Sequence, residues 1–121
     1  MKVQTAPIRI FIADDFEPFR TTYRSLIEDQ PGMQVIGQAE NGSDLLRQIQ
    51  FNTPDIILCD IRMPSMDGIE ATRFITKNYP QVSVIAFSIY NDDYTIMEML
   101  AAGAAGFILK ATTKKELTDA I

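Results

Sequence analysis

Residues 55–60 read Asp-Ile-Ile-Leu-Cys-Asp, an unbroken apolar run that stops on a carboxylate. A strand covered by helices on both faces has no solvent side to alternate with, so such a run fits the interior of a parallel sheet. Two other segments end in the same way. Ile8 to Ala13 stops at Asp14-Asp15, and Gly106 to Leu109 stops at Lys110. As strands of one parallel sheet they would bring three carboxylates and an ammonium to a single edge. In open α/β sheets the ligand crevice lies outside the carboxyl ends of the strands, at the topological switch point.

Outward from these runs, short apolar stretches alternate with segments of helical period, as expected of five βα units. After the first strand, Phe16, Phe19, Tyr23, Leu26 and Ile27 recur at steps of three and four, Pro18 falls in the first turn, and Pro31-Gly32 ends the helix. Gln34 to Ala39, with two glutamines and a glycine, suits an edge strand. Asn41-Gly42-Ser43 offers turn and N-cap chemistry for a helix carrying Leu45, Leu46 and Ile49, which Asn52-Thr53-Pro54 closes. The third strand, Asp55 to Asp60, leads into Met63-Pro64-Ser65-Met66-Asp67-Gly68, a loop long enough to arch over a site. A helix bearing Ile69, Phe74 and Ile75 follows and stops at Tyr79-Pro80. Val82 to Phe87 is the fourth strand and Ser88 ends it. The fourth helix begins near Asp92-Asp93, uses Tyr94, Met97 and Leu100 on one face, and stops at Gly103. Thr113 with Glu116 three residues on has the form of a capping box, and Leu117 and Ile121 begin one more apolar face.

At 121 residues the chain matches one domain, and a chain of that size buries a core without disulfides or structural metal. The net charge is −5 with dispersed acidic residues, so no basic stripe disposes this segment to bind nucleic acid directly. Cys59 is the single cysteine and lies inside an apolar run, where it acts as a small hydrophobe. No stretch approaches the length of a membrane span and no signal segment opens the chain, so a soluble, cytoplasmic protein is expected. There is no histidine, which leaves carboxylates, lysine and hydroxyls to do any chemistry.

An Asp-Asp pair after one strand is ordinarily a turn or a cap, and a lysine after another is ordinarily a solvated end. Their combination at one edge is different. Three crowded carboxylates repel and raise one another's pKa unless a cation neutralises them. Hard oxygen ligands, two carboxylates with a backbone carbonyl and waters, suit Mg²⁺ better than Zn²⁺. An open Mg²⁺ site beside a carboxylate suggests phosphoryl transfer to give an aspartyl phosphate, with metal and lysine stabilising the transferring group and Ser88 donating to a phosphoryl oxygen.

Taken as a set and in this order, Asp14-Asp15, the segment Asp60 to Gly68 (DIRMPSMDG), Ser88, and Gly106 to Lys110 (GFILK) resemble a response-regulator receiver domain of two-component signalling, over Ile8 to Ile121. The resemblance implies an α/β, flavodoxin-like fold: a doubly wound five-stranded parallel sheet of order 2-1-3-4-5. Ala101 to Lys110 (AAGAAGFILK) and the ending ELTDAI resemble the subgroup joined to a C-terminal LuxR-type helix-turn-helix domain. Residues 1–121 would then be one receiver domain, contacting DNA only through that further domain.

Carried over residue by residue, the resemblance makes Asp60 the phosphoacceptor. Asp14, Asp15, Asp60 and the backbone carbonyl of Arg62 become Mg²⁺ ligands, Lys110 a phosphoryl contact, and Ser88 with Phe107 the hydroxyl and aromatic switch pair. It implies a sensor histidine kinase as partner, facing the first helix at Phe19 and Arg20. It also implies a homodimer through receiver surfaces, transcriptional output through the face around the fourth helix, fifth strand and fifth helix, and no separate substrate. Ala111 stands where many receivers have proline, so the cis peptide often found at that place does not carry over by resemblance. Ile89, larger than usual at its place, and Arg62 are expected to tune the phosphorylated lifetime.

Three other readings compete. A flavin-mononucleotide binder would need a hydroxyl- and glycine-rich loop after the first strand, where Asp14-Asp15-Phe16-Glu17 would repel the phosphate. A Mg²⁺-dependent phosphatase of the haloacid dehalogenase type would need Asp-x-Asp after that strand and a cap. A phosphorylation-independent dimerisation module would have no use for the complete set Asp14, Asp15, Asp60, Ser88 and Lys110.

Overall fold

Strands and helices alternate along the chain, and the computed structural model describes residues 6–88, 93–110, 119 and 121. The order is β1 (Ile8–Ala13), α1 (Glu17–Glu28), β2 (Met33–Ala39), α2 (Gly42–Ile49), β3 (Ile56–Asp60), α3 (Gly68–Asn78), β4 (Ser83–Ser88), α4 (Asp93–Ala101) and β5 (Gly106–Leu109). All strand pairs are parallel and the sheet order is β2-β1-β3-β4-β5, as expected. The chain reverses its direction of winding between β1 and β3, so the switch point falls between Asp14 and Asp60.

Period-two alternation divides the core into two layers. Ile10, Ile12, Leu58, Ile85, Phe87 and Ile108 pack with Tyr23 and Ile27 of α1. On the opposite face Phe11, Ala13, Ile57, Cys59, Val84 and Ala86 pack with residues of α2, α3 and α4, including Leu45, Ile49, Ile75 and Met99. Burying one Leu-sized side chain contributes about 1.5–3 kcal/mol, so these layers carry the fold.

Local chemistry sets most boundaries. Asn41 caps α2 by accepting from Asp44 N at 2.7 Å, and Asp67 caps α3 by accepting from Glu70 N at 2.9 Å. Gly103 ends α4 in a left-handed conformation, φ +115°. Asp55 lies just before β3, where its carboxylate accepts from Arg9 N at 2.8 Å. The glycine that weakens β2 as a strand has a packing reason. A Cβ on Gly37 would stand 2.3 Å from the Phe11 ring, and the β1–β2 register skips Ile36 at the same place.

Three apolar residues face outward where the helical spacing suggested an inward stripe. Tyr94, Met97 and Leu100 are 73%, 68% and 45% exposed, and Met99 is the residue of α4 that is fully buried, against Thr72 and the inner layer. α4 is apolar around much of its circumference, so periodicity alone does not select its buried side. Phe74 of α3 and Phe16 before α1 are likewise exposed, whereas Ile75 and Tyr23 are buried. The capping box at Thr113 and Glu116, Leu117, Ile89 and the peptide at Ala111 lie outside the described residues. Among the described residues no helix is long and apolar enough to cross a membrane.

Candidate functional site

Because β1, β3 and β5 run parallel, the residues that end them meet. Asp14 and Lys110 are each the first residue past a strand, Asp60 is the last of β3, and all three are buried. The Lys110 ammonium lies 2.5 Å from Asp14 Oδ2 and 3.2 Å from Asp60 Oδ2. Asp14 is held by its other oxygen, which accepts from Phe16 N at 2.9 Å. Asp15, the exposed member, completes a cluster in which one oxygen from each of the three carboxylates lies within 4.8 Å of the others.

Three carboxylates against one ammonium leave two negative charges uncompensated within the cluster. Burial pushes the Asp60 carboxyl up to about 6; Lys110 opposes the rise, while Asp14 and Asp15 add to it. For Lys110, burial acts downward, but its close contact with Asp14 and the charges of Asp60 and Asp14 outweigh it and leave the ammonium raised. At pH 7 the ammonium is therefore charged and Asp60 is mostly ionised.

The donor set fits a hard divalent cation. It consists of carboxylate oxygens, and Asp14 Oδ2 is fully shielded from solvent with no properly directed hydrogen bond, only the ion contact to Lys110. Cys59 offers no soft ligand: burial, followed by the charges of Asp60 and Asp14, pushes its thiol far up, and its side chain belongs to the opposite layer.

The loop after Asp60 is fixed by two close backbone approaches. Gly68 N donates to Ile61 O at 2.8 Å, and a Cβ on Gly68 would stand 2.1 Å from the carbonyl oxygen of Asp60. Gly42 N donates to Met66 O at 2.9 Å, and a Cβ there would meet the same oxygen at 2.4 Å. Ser65 takes a positive φ of 67° between them. The loop thus arches from β3 to the start of α2 and returns onto the peptide of Asp60.

Ser88 is buried at the end of β4 and its carbonyl accepts from Lys110 N at 2.9 Å. Phe107 is the register partner of Ala86 and packs half-buried against the α2–α4 layer, the face to which Ser88, two residues after Ala86, also belongs. Arg62 is exposed and lines, with Asp67, Tyr94 and Glu98, an open cleft between the start of α3 and α4.

α1 contributes more to this edge than its apolar stripe suggests. The Tyr23 hydroxyl donates to the carbonyl of Lys110, and the Lys110 ammonium stands 4.6 Å from the centroid of the Phe19 ring. Burial, only partly offset by Lys110, raises the Tyr23 phenol, which stays protonated at neutral pH. Arg20 turns inward: Nη1 donates to the Asp14 carbonyl at 2.5 Å and Nε to Gln38 Oε1 at 3.2 Å. A phenol in an inward-facing helical stripe was the available signal, since a buried hydroxyl needs a partner.

The family model for the response regulator receiver domain matches residues 10–121. The chain belongs to the response-regulator receiver family. Response regulator GacA of Pseudomonas viridiflava is 35% identical over 94% of this receiver and 53% of its own length. Transcriptional regulatory protein LiaR of Bacillus subtilis is 37% identical over 94% of the receiver and 54% of its own length. Among solved structures, the receiver domain of the response regulator NarL from Mycobacterium tuberculosis superimposes with a TM-score of 0.91 at 29% identity, covering 96% of this chain and 94% of that one. A LuxR-family two-component response regulator from Aurantimonas sp. SI85-9A1 superimposes with a TM-score of 0.89 at 32% identity, covering 95% of this chain and 82% of that one, which supports a receiver of the LuxR-type subgroup. The receiver spans about half the length of the curated relatives it matches.

Proposed function

We propose that this receiver accepts a phosphoryl group on Asp60 from a sensor histidine kinase and uses the change to switch transcriptional output. The observation that carries the reading is the Asp60 carboxylate itself, buried at the switch point, raised to about 6, and in contact with the Lys110 ammonium.

An ionised Asp60 oxygen attacks the phosphorus of a phosphohistidine as the P–N bond breaks, and the imidazole nitrogen leaves with the bonding pair. Lys110, already against Asp60 Oδ2, balances negative charge on the transferring oxygens. Asp14, Asp15, Asp60 and the Arg62 carbonyl are the groups that would hold Mg²⁺, which when bound supplies further charge neutralisation to the phosphoryl oxygens. In the separate hydrolysis that ends the signal, water attacks phosphorus, the bond to Asp60 breaks, the carboxylate is restored, and phosphate leaves with a proton passed to solvent. Arg62, on the rim of the cleft beside α4, and Ile89 tune the rate of that loss.

Phosphorylation adds roughly one charge and new acceptor oxygens, which draw Ser88 and Lys110 inward. Phe107, on the same face as Ser88, then turns into the space the hydroxyl leaves, and the exposed surface of α4 and β5 carries the new state. The name of LiaR, a transcriptional regulatory protein, supports a transcriptional output; in our reading that output runs through a DNA-binding domain beyond residues 1–121, in the cytoplasm, with a homodimer formed through receiver surfaces. The chain promotes its own phosphorylation and dephosphorylation and turns over no other substrate.

Intact mass after incubation with a small acyl-phosphate donor and Mg²⁺ tests the reading. Wild type should gain one phosphate and Asp60→Asn none. No gain in either, with the donor active on another receiver, would favour the phosphorylation-independent dimerisation module; turnover of an unrelated phosphoester would favour the phosphatase.

A further inference from the structure

Lys110 faces a competition that its charge alone does not resolve. Its ammonium contacts both Asp14 and Asp60, and the closer contact is to Asp14. To act on a phosphoryl group at Asp60 it must be held within reach of Asp60 despite the pull of Asp14. A lysine stem has high rotamer freedom, and the strand that delivers it is short: β5 has four residues and lies at the edge of the sheet.

Two residues one turn apart on α1 close on Lys110 from the face opposite Ser88. The Tyr23 hydroxyl, from a side chain 4% exposed, donates to the Lys110 carbonyl across 87 residues of sequence. The Phe19 ring lies under the ammonium, and the two rings stack with centroids 6.1 Å apart. Tyr23 is itself seated edge-on against Phe87 at 4.5 Å, so the phenol is oriented by the core of the sheet. The Lys110 peptide is therefore fixed at its N–H by Ser88 of β4, at its carbonyl by Tyr23, and at its ammonium by carboxylates and an aromatic face.

We propose that Tyr23 and Phe19 are positioning residues for phosphoryl acceptance, clamping the backbone and the ammonium of Lys110 so that it serves Asp60. This rests on the reading of Asp60 as phosphoacceptor. The clamp couples α1 to the transfer step through Lys110 and leaves the metal-holding carboxylates untouched.

Tyr23→Phe removes the hydrogen bond while retaining the ring, and Phe19→Leu removes the aromatic face while retaining most of the bulk. With the small acyl-phosphate donor and saturating Mg²⁺, Tyr23→Phe should be phosphorylated about five- to tenfold more slowly than wild type, the fold-change that corresponds to losing one ordinary hydrogen bond, and Phe19→Leu about two- to fivefold more slowly, that of a lost cation–π contact. Mg²⁺ affinity should stay within about twofold, because no carboxylate has lost a partner. In a Lys110→Arg background, Tyr23→Phe should change the residual rate by less than about twofold, since the two residues act as a unit. Amine acylation mapped by peptide mass should label Lys110 faster in Tyr23→Phe than in wild type.

A purely structural tyrosine would lower the melting temperature and leave the rate below that temperature unchanged, which would overturn the proposal. A full rate effect persisting in the Lys110→Arg background would overturn it as well. A wild type that takes up no phosphate sinks the phosphoacceptor reading instead; a wild type that is phosphorylated at the same rate as both variants sinks only the clamp.

Discussion

The carboxyl edge of the sheet and the outer surface of α4 are built from opposite materials. At the edge, Asp14, Asp60 and Lys110 are buried, whereas on α4 Tyr94 and Met97 are 73% and 68% exposed. Each reverses the usual partition of charged groups outward and large apolar groups inward, and each reversal costs stability that nothing in the fold requires. The edge is over-determined, with every buried charge in contact with another. The α4 surface is the reverse: its exposed side chains can change partners without disturbing the layer beneath, which Met99 secures. Under the proposed function, a rigid input site and a permissive output surface are what a switch needs at its two ends.

The largest effect should come from breaking the edge. Lys110→Ala leaves Asp14 and Asp60 facing each other without a cation, and removing one partner of a buried ion pair costs about 3–5 kcal/mol. Urea denaturation in metal-free buffer measures this; a loss below about 1 kcal/mol would mean that the charges are already well solvated.

Asp60→Asn should act in the other direction. The folded carboxyl at about 6 lies above its ordinary 3.8, so the native state binds the proton more tightly than the unfolded chain. Stability of the wild type therefore falls as pH rises between those values and stays reduced at neutral pH. In metal-free buffer the asparagine variant should be more stable than wild type by about 1–3 kcal/mol at pH 7. The gain should vanish below about pH 4, where Asp60 is protonated in both states. Melting curves across this range check the sign, and a gain that grows on acidification would contradict it.

The smallest effect should fall on α4. Met97→Gln, on the exposed side, should change stability by less than about 0.5 kcal/mol, whereas Met99→Ala, two residues away, should cost about 2–5 kcal/mol. Comparable losses from both would mean that the outer surface is packed, and the contrast with the edge would disappear.

Much of this was legible in the apolar runs. β1, β3 and β5 could be read because doubly covered strands carry uninterrupted apolar residues, and the charges that end them specified which residues would meet. The clustering of Asp14, Asp15, Asp60 and Lys110 followed from strand direction alone. The buried side of α4 was not legible, because Tyr94, Ile96, Met97, Met99 and Leu100 surround the helix and only the identity of its neighbours decides among them. Nor were the close approaches of Gly68 and Gly42, since a glycine after an aspartate or an asparagine also fits an ordinary turn. The partners of Tyr23 and Arg20 depend on contacts between residues far apart in sequence, which a helical stripe cannot encode.

The position of Tyr23 has an optical consequence. The chain contains no tryptophan and four tyrosines, so its ultraviolet emission belongs to Tyr23, Tyr79, Tyr90 and Tyr94. The Tyr23 phenol donates to the peptide of Lys110, beside the buried acids. Phenol emission responds to hydrogen bonding, so any event that shifts Lys110 should change the brightness of a chromophore already in place. The protein carries its own dye, and the arrival of a cation or a phosphoryl group could be followed in a cuvette without labelling a single residue.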